Sequence, residues 1–154
     1  MDVEIGISQQ DRAKSAAALQ RLLGETYALY IKTHGYHWNV TGPRFSSLHE
    51  LFMTQYTELW AALDELAERI RSLGHFAPGS SDEMMANASI EGDGSVPSAE
   101  AMVANLALGH EAVARAAREG IQIASDAGDD VSADLMTQRA TIADKTAWML
   151  RSSL

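Results

Sequence analysis

Four side chains in the first half of the sequence have the types and spacing that could hold a metal ion. His37 and His49 stand twelve residues apart across a predicted turn, and Asp64 and Glu68 follow with a separation of four residues. Four residues are about one helical turn, so the two carboxylates can converge on one cation. Imidazole nitrogen and carboxylate oxygen, with no thiolate, suit iron, manganese or zinc in a site open to small molecules.

Each of these residues also has an ordinary structural interpretation. A single inward-facing histidine is more often a hydrogen-bonded core residue than a metal ligand. The segment LDELAERIRSL, which contains both acids, could equally be a solvated helix face whose carboxylates pair with Arg69 and Arg71. Trp38 and Trp60 are interpreted as core or interface aromatics. Only the joint arrangement of histidines and acids favours a metal site.

The distance along one helix decides how such a site could form. His49 and Asp64 are fifteen residues apart on a single predicted helix, which separates them by about 22 Å along its axis. Metal–ligand bonds are only about 2.0–2.2 Å long, so one straight helix cannot bring both residues onto one ion. A second chain must lie antiparallel about a two-fold axis, so that histidines of one subunit meet carboxylates of the other, twice per dimer.

Helices must position these residues, because apolar residues recur at spacings of three and four and no strand-like alternation persists. Ser80-Ser81-Asp82-Glu83 predicts a capping box and a short helix inside the long connection. An all-α four-helix bundle with one long crossover between its second and third helices is the ferritin-like topology. The four long helices are predicted from Ser8 to about Asn39, from about Pro43 to Leu73, from near Pro97-Ser98 to Gly128, and onward from Asp129-Asp130.

The same spacings predict which side of the last two long helices faces the core. The predicted inward residues are Val103, Leu106, His110, Val113 and Ile121 on the third long helix, and Leu135, Ile142, Thr146 and Met149 on the fourth.

Composition limits the remaining choices. We expect residues 1–154 to form a single domain. Within it, a short acidic tail at residues 1–7 precedes the helical bundle. The absence of cysteine excludes disulfides and thiolate metal sites. No signal peptide or membrane span is found, so we expect a cytoplasmic protein. The net charge of −9 and the lack of clustered bases near either end make DNA binding unfavourable.

The residues also resemble a known family. HWNVTGPRFSSLHELF, followed by LDELAERIRSLG, is similar to the Dps mini-ferritins of the ferritin-like superfamily, and DDVSADLMTQR and KTAWMLR extend the resemblance over nearly the whole chain. The resemblance implies a homo-dodecameric shell that oxidises Fe²⁺, usually with hydrogen peroxide, stores ferric iron and protects against oxidative damage. It also implies that His37 and His49 are metal ligands, with Asp64 and Glu68 supplied by a neighbouring subunit.

The sequence departs from the family at one position. Four residues after the second histidine the family usually carries Asp or Glu, whereas Met53 stands here. A thioether is a poor substitute for a carboxylate on iron, and Met53 is better interpreted as an adaptable core filler. We therefore expect a strong site near His37, Asp64 and Glu68 and a weak one at His49, with ferroxidase activity that is either slowed or reorganised.

Three functions remain open at this point. The first is the ferroxidase, the second is a non-catalytic shell that sequesters a metal such as zinc, and the third is a plain bundle whose histidines and acids only pair with one another. The family lines its pores with acids near the last turn of the bundle. Four aspartates in that region could serve as pore residues or as helix caps: Asp126, Asp129, Asp130 and Asp134.

Overall fold

The computed structural model describes residues 2–154, and in this part of the chain all regular structure is helical. Met1, the first residue of the predicted tail, lies outside the described residues. The fold confirms the predicted ferritin-like bundle, with four long helices and one short helix in the long crossover. The helices are α1 Gln9–Asn39, α2 Phe45–Ser72, α3 Ser81–Ala86, α4 Ala99–Asp126 and α5 Asp130–Arg151.

Side-chain caps start four of the five helices. Ser8, Ser80, Ser98 and Asp129 each accept a hydrogen bond from the backbone N–H three residues further on. Such caps satisfy backbone donors that have no partner within the helix. α2 differs, because Arg44 precedes it without a side-chain cap and the predicted first-turn proline lies just before that residue.

The long crossover is fixed to α1 by close backbone contact. A Cβ atom at Gly24 would lie 2.6 Å from the carbonyl oxygen of Met84, so only glycine allows α3 this near. One residue further on, the buried carboxylate of Glu25 accepts the backbone N–H groups of Ser89 at 2.7 Å and Ile90 at 3.2 Å. Buried backbone donors need such partners, so the connection is part of the packed domain.

The core lies between the two antiparallel pairs α1/α2 and α4/α5, and its largest members are mainly leucines of the first pair. No helix within residues 2–154 is both long and apolar enough to cross a membrane. The bulky fully buried side chains of α1 and α2 are Leu19, Leu22, Leu23, Leu29, Leu48, Phe52, Leu59, Leu66 and Ile70.

The predicted inward face of α4 is confirmed, apart from the half-buried Ile121, but that of α5 was wrong by one position. The prediction followed the large side chains of α5, whereas half of its buried residues are alanines, which permit close approach to α4. At the contact, a Cβ atom on Gly120 would lie 2.3 Å from the Sδ atom of Met136. The buried residues of α5 are Ser132, Ala133, Met136, Arg139, Ala140, Ala143, Ala147 and Leu150.

Candidate metal centre

The turn between α1 and α2 brings the two predicted ligand histidines into contact. α1 ends at Asn39 and α2 begins at Phe45, so His37 lies in the last turn of one helix and His49 near the start of the next. Their imidazole rings stack with centroids 3.8 Å apart and planes inclined by 15°. His37 is buried, at 7% exposure, and His49 is half-buried.

Each of these rings is oriented by the backbone of the other residue. The Nδ1 atom of His37 lies 2.7 Å from the carbonyl oxygen of His49, and the Nδ1 atom of His49 lies 2.7 Å from the carbonyl oxygen of His37. A carbonyl oxygen only accepts hydrogen bonds, so both Nδ1 atoms must carry the proton and donate it. Both Nε2 atoms then keep a lone pair, which is the arrangement that orients metal-binding histidines.

The stacking also decides how many ions the pair can hold. The lone pair of an imidazole Nε2 atom lies in the plane of its ring. Because the two planes are nearly parallel and the centroids are 3.8 Å apart, one ion cannot lie in both planes at bonding distance. His37 and His49 can therefore each ligate a separate ion. Two-metal sites typically hold their ions about 3.5–4 Å apart.

Aromatic rings cover the sides of the pair. Phe45 stacks against His49 with a centroid separation of 5.0 Å, and the ring of Tyr56 meets His37 edge-on at 5.2 Å. These contacts restrict ring rotation and limit access of water. They were not predicted as part of the site.

A third histidine belongs to this aromatic cluster. His34 stacks on Tyr56 with ring centroids 3.9 Å apart and packs against Trp38 at 4.1 Å with the ring planes tilted by 33°. Its Nδ1 atom lies 3.1 Å from the hydroxyl oxygen of Tyr30. Burial, and then the nearby charge of His37, lower the pKa of His34 below its ordinary value. The spacing of His34 and His37, three residues apart on one helix, is the sequence signal that could have placed both in one cluster.

The two predicted acidic ligands lie far from the histidines within one subunit. Asp64 and Glu68 are exposed on α2, which runs without a break from Phe45 to Ser72. The helical rise separates His49 from Asp64 by about 22 Å. Accordingly, within residues 2–154 no three His, Asp or Glu side chains of a single subunit converge as a metal site.

Exposed apolar side chains mark the face on which these residues lie. Met53 is 45% exposed, so the prediction that it fills the core of this bundle was wrong. Trp38 and Trp60 are 65% and 63% exposed, which excludes the core interpretation for both tryptophans and leaves the interface interpretation. Large apolar side chains on one surface are typical of an interaction face.

The four aspartates near the last turn differ in their surroundings. Asp129 is fully buried, caps α5 through the backbone N–H of Ser132 and accepts a hydrogen bond from Arg69 at 2.8 Å. It therefore serves as a cap and cannot line a pore as a free acid. The three others are exposed: Asp126, Asp130 and Asp134.

A buried histidine in the middle of the bundle has a different environment. His110 on α4 is 2% exposed, and neither ring nitrogen has a hydrogen-bond partner in the described structure. Burial, and then the charge of Arg139, lower its pKa to about 4. Arg139 itself forms a bidentate ion pair with Glu58.

Comparison with known proteins agrees with this architecture. Residues 16–154 match the ferritin-like domain family. The DNA protection during starvation protein 2 of Bacillus anthracis is 34% identical over 136 residues, which are 88% of this chain and 93% of that protein. This chain belongs to the Dps family of mini-ferritins.

Solved Dps structures superpose on the whole bundle. Dps from Staphylococcus aureus has a TM-score of 0.89 and 35% identity, covering 97% of this chain and 98% of its own. The Dps protein of Vibrio cholerae O1 has a TM-score of 0.93 and 30% identity, with 99% and 96% covered, and is described as one of the ferritin-like diiron-carboxylate proteins. An uncharacterised low temperature-induced protein of Nostoc is 38% identical over 97% of this chain and 85% of its own length.

Proposed function

We propose that this Dps chain binds ferrous iron between paired subunits, oxidises it with hydrogen peroxide, and stores ferric iron inside a shell of twelve subunits. The observation that carries the proposal is the reciprocal hydrogen bonding of His37 and His49, which leaves both Nε2 atoms ready to bind metal. Membership of the Dps family, and the diiron-carboxylate description of the Vibrio cholerae relative, support iron as the metal.

In this proposal each site takes its ligands from two subunits. His37 and His49 come from one subunit, and Asp64 and Glu68 from its two-fold mate, because α2 is too long to supply both groups. The exposed Trp38 and Trp60 belong to the contact between the subunits. The carboxylates attract Fe²⁺, and mixed nitrogen and oxygen ligands stabilise Fe³⁺ once it forms.

The stacked histidines make a two-electron reaction possible. Two Fe²⁺ ions held side by side give one electron each to one hydrogen peroxide molecule, whose O–O bond breaks. With two protons the products are two Fe³⁺ ions and two water molecules. Since both electrons arrive together, no hydroxyl radical is released, which would protect the cell from oxidative damage.

The replacement of the usual carboxylate by Met53 supports a second candidate function. Without a carboxylate beside His49, the second ion is held by fewer hard ligands. The protein would then be a metal-sequestering shell with weak or no ferroxidase activity, and zinc or manganese could occupy the histidine end. The rate of iron oxidation separates the two functions.

A complementation experiment tests whether the site is shared between subunits. One variant combines His37→Ala with His49→Ala, and the other combines Asp64→Ala with Glu68→Ala. Each variant alone should lose peroxide-dependent iron oxidation. Co-expression should restore about a quarter of the wild-type sites, because half of the two-fold dimers are mixed and each mixed dimer has one complete site.

The outcomes of this experiment are distinct. No recovery on co-expression, although mixed assemblies are isolated with two affinity tags, would contradict the shared site. Saturable iron binding without oxidation in the wild-type protein would support the sequestering shell instead. Neither binding nor oxidation would indicate a plain structural bundle. Analytical ultracentrifugation of the same samples tests the twelve-subunit assembly.

We also propose that the protein protects without binding DNA. Residues 2–7 contain two acids and no lysine or arginine. The guanidinium of Arg12 fixes this segment by donating hydrogen bonds to the carbonyl oxygens of Val3 and Ile7. Binding to phosphates requires clustered bases. A salt-sensitive mobility shift with plain duplex DNA would contradict this proposal.

A further inference from the structure

The methionine that follows the histidine pair on α2 lies outside the core of its own subunit. Met53 follows His49 by four residues on α2, so it lies one turn further on the same side of the helix. Methionine side chains in helices lean back toward the preceding turn, which here is the turn that carries His49. The residue is nevertheless 45% exposed, although methionine is ordinarily a core residue.

The ring of His49 offers one free nitrogen to an ion on this side. Its Nδ1 atom is bound to the carbonyl oxygen of His37, and its two faces are covered by the rings of His37 and Phe45. The Nε2 atom is therefore the metal-binding position, and its ion is separate from that of His37. The donor set available from this subunit is one imidazole nitrogen and one thioether sulfur.

We propose that the Nε2 atom of His49 and the Sδ atom of Met53 form a half-site for Cu(I), next to a hard half-site for iron at His37. Thioether ligands select soft Cu(I), and imidazole accepts copper as readily as iron. Cu(I) is also satisfied by two or three ligands, so it does not need the missing carboxylate. Met53, in place of the family's usual carboxylate, thus changes which metal is preferred at His49.

This inference rests on the proposed function in one respect, because it assigns metal binding to the same histidine pair. It needs no oxidation of iron and no catalytic step. Its two donors also lie on one subunit, so the carboxylates of the neighbouring subunit are not required for Cu(I) binding.

Competition with a chromogenic Cu(I) chelator under anaerobic conditions tests the half-site on the assembled protein. Wild-type protein should bind about one Cu(I) per subunit. Met53→Leu keeps the size and apolar character of the side chain but removes the sulfur, and it should weaken Cu(I) binding at least tenfold. The matched control is Met149→Leu, at an exposed methionine on α5, and it should bind Cu(I) as the wild type does.

X-ray absorption of the copper-loaded protein provides a direct readout. A copper–sulfur contribution should be present in the wild type and absent in Met53→Leu. Equal Cu(I) affinity of the wild type and Met53→Leu, or a spectrum with only nitrogen and oxygen neighbours, would overturn the proposal. A copper–sulfur signal that persists in Met53→Leu would also overturn the proposal, because the sulfur ligand would then be another methionine.

Iron oxidation measured on the same preparations separates the two proposals. The Asp64→Asn/Glu68→Gln variant should lose iron oxidation and keep Cu(I) binding. If wild-type protein fails to oxidise iron but loses Cu(I) with Met53→Leu, the ferroxidase fails and the copper half-site stands. If iron is oxidised and Met53→Leu leaves Cu(I) binding unchanged, only the copper half-site fails.

Discussion

Two buried histidine environments in this molecule have opposite hydrogen bonding. His37 and His49 each donate Nδ1–H to a backbone carbonyl, whereas both nitrogens of His110 lack a partner in the described structure. His37 and His110 are nevertheless similarly inaccessible, at 7% and 2% exposure. Burial alone therefore does not distinguish these histidines; the hydrogen bond that fixes one nitrogen and frees the other does, and the proposed metal site requires this arrangement.

The difference follows from where each residue lies. The histidine pair lies where α1 ends and α2 begins, and His37 is in the last turn of α1, whose carbonyl oxygens have no helical partner. His110 lies in the middle of α4, where the carbonyl oxygens of its own helix accept helical hydrogen bonds. Its one charged neighbour, Arg139, is already engaged by Glu58.

Of the effects expected from the difference between the histidine pair and His110, the largest is a loss of folding stability in acid. His110 keeps its neutral form until about pH 4 in the folded protein but titrates near 6.5 when unfolded. As pH falls from 6.5 toward 4, the unfolded chain takes up a proton that the folded protein does not, so the free energy of unfolding decreases. The decrease should reach up to about 3 kcal/mol.

Guanidinium unfolding at pH 7 and pH 4.5, at one fixed protein concentration, measures this change. His110→Leu should show a smaller loss of stability between the two pH values than the wild type. If both proteins lose the same stability, the histidine is not the origin of the acid sensitivity.

The next effect concerns the carboxylates that complete the histidine pair. Asp64→Asn/Glu68→Gln should reduce peroxide-driven iron oxidation by about 100-fold, because ligand charge is lost without change of size. Stability should change by less than about 0.5 kcal/mol, since exposed surface substitutions rarely cost more. Glu65→Gln, at an adjacent exposed acid on α2, is the control and should retain wild-type oxidation.

A third prediction compares the two histidine environments in one assay. His37→Gln should slow iron oxidation by about 30-fold, because an ion loses its imidazole and His49 loses the ring that stacks on it. His110→Leu should leave the rate within about twofold, since no metal ligand is altered. Stopped-flow absorbance of ferric iron measures both. Equal losses of oxidation rate in His37→Gln and His110→Leu would show that the two histidine environments do not differ in metal binding.

The smallest effect is expected at Met53. Met53→Glu supplies a hard ligand beside His49, so the second iron should bind more tightly and oxidation should accelerate about threefold at limiting Fe²⁺. Met53→Leu should leave the rate within experimental error. An unchanged rate in the glutamate variant would indicate that the second ion does not limit the reaction.

Much of the fold could be predicted because local signals were strong. The caps at Ser8, Ser80 and Asp129 were all visible as short polar residues before apolar periodicity, and each is confirmed. The inward face of α5 could not be predicted in the same way. Apolar periodicity favours large side chains, whereas half of the buried residues of α5 are alanines that permit close approach to α4.

The site could be predicted in its ligand types but not in its internal geometry. The twelve-residue spacing of the histidines and the long separation from Asp64 follow from the sequence and from the rise of a helix. The exchange of hydrogen bonds between His37 and His49 depends on backbone carbonyls, which carry no sequence signal. The exposure of Met53 depends on how α2 is rotated in the bundle.

The crossed hydrogen bonds of the histidine pair also bear on how this protein can diverge. Each ring is held by the main chain of the other residue. A lineage that loses one histidine keeps the backbone carbonyl that orients the remaining ring, so a single substitution removes one metal-binding nitrogen and leaves the other in position. Positions 37 and 49 can therefore change one at a time, and position 53 can vary as well and adapt a descendant to a different metal supply.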